Sequence, residues 1–103
     1  MTDSYNARDF KVGDILDGSF HYTAKIPYFY KVVRRTPAMV FAVRLGKRVV
    51  SDDGYGQNGS VMPNPTEVGE KIYKGRITKN GYLRLDDCLC SLWDGKPVDF
   101  WSD

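Results

Sequence analysis

The 103-residue chain predicts an all-β fold, a small antiparallel barrel or sandwich of SH3-like or OB-like kind with five to six short strands. Three observations carry that expectation. β-Branched and aromatic residues gather in short runs, and no ten-residue stretch repeats at helical period. Glycine, proline, asparagine and aspartate punctuate the spaces between the runs. An Asn80-Gly81 pair sits between two apolar segments, where it supplies the positive φ angles of a tight hairpin.

Taken in order, residues 1–11 read as a flexible N-terminal arm and residues 12–103 as a single β domain. Val12-Gly-Asp-Ile-Leu16 reads as the first strand. Tyr28 to Arg35, opened by Pro27, reads as the second; Tyr28, Tyr30 and Val32 share one face, Phe29 and Val33 the other, so that one set forms core and the other stays available. Thr36-Pro37 breaks this run. In Ala38 to Leu45, Met39, Phe41, Val43 and Leu45 share one face, and Ala38, Val40, Ala42 and Arg44 the other. A strand apolar on both faces belongs in the middle of a sheet.

Gly46-Lys47 then suggests a turn, with Arg48 to Val50 as an extension or edge piece. The glycine-rich Ser51 to Ser60 reads as a mobile loop, which Pro63 and Pro65 prolong as irregular chain to about Gly69. Ile72 to Thr78 and Tyr82 to Asp86 flank the Lys79-Asn80-Gly81 turn as a hairpin. Leu92 to Pro97 makes a turn that seats the Trp93 indole in the core, and Val98 to Trp101 forms a last strand. An exposed Trp101 ring would mark a partner surface.

Composition bounds the function. A hydrophobic fraction of 42% and a charged fraction of 27% are those of an ordinary globular domain. No apolar run approaches the roughly 18 residues that span a bilayer, and the polar N-terminus with Asp3 and Asp9 is no signal peptide. A cytoplasmic protein without a membrane partner is expected. Cys88 and Cys90 would point to opposite faces of a strand, which makes a mutual disulfide unfavourable. With His21 as the only histidine, a metal site from Cys88, Cys90, His21 and a carboxylate falls short on ligand spacing. No metal and no cofactor are expected.

Charge is the leading clue. Gly18 to Ser51 holds seven cations and no acid, so a chain of net charge +2 is a +7 segment in surroundings of −5. Six of the fourteen aromatics lie in that block. Cations interleaved with rings suit a polyanion, because phosphates attract positive charge and bases stack on flat rings. The candidate binding residues are Lys25, Tyr28, Tyr30, Lys31, Arg34, Arg35, Arg44, Lys47 and Arg48. Arg34-Arg35, Arg44 and Lys47-Arg48 cluster if the two strands pair as a hairpin, with the compactness of the cluster set by register.

Other chemistries find little support. The glycine-rich stretch lacks the Gly-Lys-Ser/Thr of a phosphate loop, carries Asp52 and Asp53, and fails the EF-hand spacing. Adjacent carboxylates at Asp52-Asp53 and Asp86-Asp87 point opposite ways on a strand, a poor acid–base geometry. His21 has no nucleophile elbow to serve. The chain does not read as an enzyme, and no small-molecule substrate is evident.

Val12 to Ile15, Phe29 to Val33, Gly81 to Leu85 and Leu92 to Pro97 together resemble a group of small phage and mobile-element β-proteins. Their pattern is a Val-Gly-Asp-Ile opening, a Phe-Tyr-x-Val-Val strand, a Gly-Tyr-x-Arg-Leu/Ile strand and a Leu-Trp-Asp-Gly-Lys-Pro ending. The resemblance implies a genetic setting, the interior of a host cell. A non-enzymatic binding module is therefore expected, using its basic-aromatic face on nucleic acid. The alternative is a protein–protein inhibitor of a host defence complex, of anti-CRISPR type, docking on an acidic or nucleic-acid-loaded surface.

Overall fold

The computed structural model describes residues 10–18, 20, 21, 24–52, 54, 58–77, 83–85 and 88–102. These form nine strands: β1 (Ile15–Asp17), β2 (Phe20–His21), β3 (Ala24–Ile26), β4 (Phe29–Arg35), β5 (Met39–Asp52), β6 (Asn58–Arg76), β7 (Leu83–Leu85), β8 (Cys88–Leu92) and β9 (Val98–Ser102). All pairings are antiparallel, in the order β2-β3-β9-β6-β5-β4-β1-β8-β7. None of the described residues is helical.

The expected all-β antiparallel class holds, but the count and closure differ. There are nine strands rather than five or six, and the sheet does not close into a barrel. Among the described residues a single bridge, Ile77 to Leu83, links β6 back to β7. The expected irregular stretch to Gly69 is instead part of a 19-residue strand paired along β5. Ser51, Asp52 and Asn58 to Ser60 are strand as well, so the predicted loop at 51–60 narrows to the connection between β5 and β6. Residues 53 and 55–57 lie outside the described ones.

Bulges reconcile the prolines with a strand. From Leu45 to Gly46 the partner on β6 jumps from Val68 to Asn64, leaving Pro65, Thr66 and Glu67 looped out. The Asn64 side-chain oxygen accepts from the Thr66 amide at 3.2 Å and the Thr66 hydroxyl at 2.7 Å, while its amide donates to Glu67 at 2.9 Å. Pro63 and Pro65 also lie beyond Val61, where the pairing of β6 with β9 ends, so no ladder on that side needs their missing N–H groups.

Two apolar clusters occupy opposite faces of the bent sheet. Leu16, Tyr30, Val32, Val40 and Ala42 pack with Phe10, Leu83, Leu85 and Cys90. Phe29, Leu45, Val61 and Val98 form the other, with Ile15, Trp93 and Phe100 against them. Both faces of β4 are therefore core, where one was expected to stay free. β5 sits between β4 and β6, as an apolar run on both faces requires.

The ends of the domain show further differences. Val12 to Asp14 is a turn rather than strand: Gly13 has φ +99°, and the Asp14 amide donates to the Lys11 carbonyl at 3.0 Å. Phe10, placed in the expected flexible arm, is buried, and Arg35 donates to its carbonyl. Residues 1–9 and the Asn80-Gly81 turn lie outside the described residues.

The Trp93 turn forms as read. Gly95 has φ +85°, the indole N–H donates to the Lys96 carbonyl at 2.7 Å, and the ring meets Phe29 edge-on at 6.0 Å between centroids. Phe29→Ala should cost about 3–5 kcal/mol in urea unfolding, since a fully buried ring leaves a cavity. Gly75→Ala should also destabilise strongly, because its Cβ would run into the Arg84 carbonyl; an unchanged midpoint would count against the close β6–β7 approach.

Candidate nucleic-acid interface

The nine candidate residues do not share one face. Directly opposed residues on paired strands point to the same side, and the β4–β5 register puts Tyr30 opposite Arg44 but Arg34 opposite Phe41. A bulge at Val33, between those pairs, separates the two groups further. Arg34 and Arg35 therefore lie at the hairpin end of β4, and Arg44 with Lys47 at its far end.

The first group is a notch at the rim of the Tyr30 cluster. The Arg44 guanidinium lies 4.4 Å from the Tyr28 ring centroid, 5.0 Å from Tyr73 and 5.3 Å from Tyr30, and donates to the Tyr30 hydroxyl at 2.8 Å. Lys47 Nζ lies 5.1 Å from the Tyr28 centroid, and Lys71 Nζ 4.7 Å from that of Tyr73. Cations over ring faces are held by the ring quadrupole, worth about 0.5–2 kcal/mol each according to exposure. Tyr30 is fully buried and so serves Arg44 rather than a ligand.

Charge in this notch is under tension. Burial opposes the Arg44 charge, but its hydrogen bond to Tyr30 and the surrounding phenols hold its pKa above the ordinary arginine value. Burial and the neighbouring Arg44 both lower the Lys47 pKa. Among the described residues no carboxylate pairs with Arg44, Lys47 or Lys71, and Arg44 Nε is buried without a protein acceptor.

The second group lies on the opposite face. Three cross-strand rows on β4, β5 and β6 run Lys31–Val43–Ile72, Arg34–Phe41–Lys74 and Met39–Arg76. Ile15 of the Phe29 cluster pairs with Lys31, which fixes this side as the face of that cluster. These eight residues include four cations and no acid. The Arg34 guanidinium lies 5.1 Å from the centroid of the half-buried Phe41 ring, and Ile72 is 59% exposed.

The other candidates scatter. Arg35 is tied to Phe10, Arg48 is exposed opposite Met62, and Lys25 lies on β3 opposite Trp101, whose ring is 38% exposed. Sequence reasoning missed Tyr73 and Lys71 in the notch, and Phe41, Lys74 and Arg76 on the sheet face. The residues from β6 lie outside the acid-free block and join it only through pairing. Phe41 lay inside the block, and its place on the face shared with Met39 and Val43 was the available signal.

Among the described residues no group of three or more His, Cys, Asp and Glu is placed to hold a metal ion, and no helix is long and apolar enough to cross a membrane. Cys90 is buried in the Tyr30 cluster. Comparison with protein-family models, with curated proteins and with solved structures gives no match.

The Lys47 shift has a stability consequence. Its folded pKa lies below the unfolded value of about 10.4, so the charged form costs stability at all pH below the folded pKa. That cost disappears as pH rises through the folded pKa towards the unfolded one. Lys47→Met should therefore raise the melting temperature at pH 7, with the gain vanishing by about pH 10.4. A gain that persisted unchanged at high pH would mean that packing, not charge, produced it.

Proposed function

We propose that the chain is a non-enzymatic binding module of phage or mobile-element type, acting inside a host cell, that lays single-stranded nucleic acid across the outer face of β4, β5 and β6. The supporting observation is the set of three cross-strand rows in which Lys31, Arg34, Lys74 and Arg76 surround Phe41 with no acid among them. Strands stand about 4.8 Å apart, so Arg34 and Lys74 flank the ring by about 5 Å on either side. That arrangement offers one base a stacking surface and the neighbouring phosphates a cation on each flank. Stacking on a ring and contacts to phosphate carry no sequence information, so binding should be tolerant of sequence.

A second reading is a protein–protein inhibitor docking the same cations on an acidic surface. Its specific support is apolar: Ile72 and Val68 are 59% and 52% exposed beside those cations, surface that a phosphate backbone does not use.

Anisotropy titrations with a labelled single-stranded oligonucleotide across a salt series test the first reading. Four phosphate contacts predict a log–log salt slope of about −2.8. Arg34→Ala/Lys74→Ala should weaken binding and reduce the slope by about 1.4. Phe41→Leu should weaken binding by about 1–3 kcal/mol with the slope unchanged. Absent or salt-insensitive binding would remove the nucleic-acid reading. A stoichiometric partner retained from nuclease-treated lysate, and lost in the Arg34/Lys74 double variant, would favour the inhibitor.

A further inference from the structure

The notch around Arg44 has no part in the sheet-face reading, since Tyr30, Arg44 and Tyr73 project from the other side of the sheet. Three cations there have no carboxylate partner among the described residues, and their charge is offset only by rings. Arg44 lies between the other two: it shares the Tyr28 ring with Lys47 and the Tyr73 ring with Lys71. The ring faces hold the charged head groups of all three cations. Glu67, which lines the adjoining groove, is the nearby acid, and it makes no ion pair with any of the three.

A groove of about 520 Å³ opens beside Arg44, lined by Arg44, Leu45 and Gly46 on β5 and by residues 66–69 on β6. Its form follows from the bulge of β6. Gly46 has no side chain because Glu67 fills that space: a Cβ there would come within 2.7 Å of both the Glu67 Cβ and Oε2. The groove is open to solvent and large enough for a tetrahedral oxyanion.

We propose that this notch is a second anion site, taking a compact phosphate-type dianion on Lys47 and Lys71 with Arg44 held behind them by the three tyrosines. A dianion suits the arrangement better than a carboxylate because three cations from two strands gather over two shared rings. Lys47 and Lys71 are the exposed arms, while Arg44 positions charge and seals the aromatic cluster. An anion there also relieves the repulsion from Arg44 that lowers the Lys47 pKa. Glu67 opposes binding, since its carboxylate lies against Gly46 beside the same cations.

The probe is inorganic phosphate, titrated at pH 7.5 with chloride adjusted to constant ionic strength, while thermal melting is followed. The expected result is a saturable rise in melting temperature that chloride does not produce. Lys47→Met and Lys71→Met should each weaken the apparent affinity about tenfold, and the double variant should abolish the response. Glu67→Gln should strengthen it. Arg34→Ala/Lys74→Ala should leave it intact, so loss of oligonucleotide binding and loss of phosphate binding separate the two surfaces.

A 5′-phosphorylated oligonucleotide in the Arg34/Lys74 variant distinguishes the sources of the dianion: tighter binding than phosphate identifies a strand end, equal binding a free anion. No rise with phosphate in a folded wild type would overturn the proposal. So would a rise that survives unchanged in the Lys47/Lys71 double variant.

Discussion

The antiparallel pairing of β5 with β6, interrupted where Pro65 to Glu67 loop out, is the constraint on which the rest of the structure depends. It carries one pair of strands through two regions of the sheet. At the ends nearest Met39 and Arg76, β5 also pairs with β4, and the two strands lie over the Tyr30 cluster. Their other ends, from Gly46 to Asp52 and Asn58 to Asn64, pair beyond the reach of β4 and bring in β9. The register jump needs three things at once: prolines clear of the β9 ladder, an Asn64 side chain to satisfy the looped-out backbone, and a bare Gly46 for Glu67 to cross. None of these has meaning outside the pair.

That bent pair also decides where charge goes. Because β4 and β5 are buried on both faces at their centre, cations on them find space only at the margins. At one margin Arg44 meets three tyrosines and becomes part of the core's boundary. On the opposite face, Lys31 and Arg34 lie in neighbouring rows beside the half-buried Phe41. The acid-free block thus produces two basic surfaces with different physics. In the first, rings fix the cations in place; in the second, cations flank a ring that stays partly open. The fully buried Tyr30 belongs to the first, and the half-buried Phe41, with Arg34 over its ring, to the second.

Much of the fold was legible where the signal was local. Alternation in Phe29 to Val33, the apolar run from Met39 to Leu45, the Trp93-Asp-Gly-Lys turn and the last strand from Val98 all act through near neighbours, and all appear. The stretch from Asn58 to Gly69 was read as irregular because glycine and proline weaken strands on average. Here the β5 ladder overrides that average, since pairing satisfies the backbone and bulges absorb the prolines. The Val12-Gly-Asp segment went the other way: Gly13 at positive φ turns the chain where apolar flanks suggested a strand.

The candidate site was half legible. The count of charges, which needs no geometry, singled out one block of sequence, and that block supplies Lys31, Arg34, Phe41, Arg44 and Lys47. Which of them share a face depends on register, and a single bulge at Val33 is enough to send Arg34 towards Phe41 rather than Arg44. Lys71, Tyr73, Lys74 and Arg76 enter only through pairing with a strand some thirty residues away. The sequence by itself determined an all-β chain whose positive charge is concentrated beside aromatic residues, since composition and alternation act locally. Only the tertiary structure decided that this charge divides between two faces, because side-chain direction in a sheet is set by long-range register and reversed by each added residue.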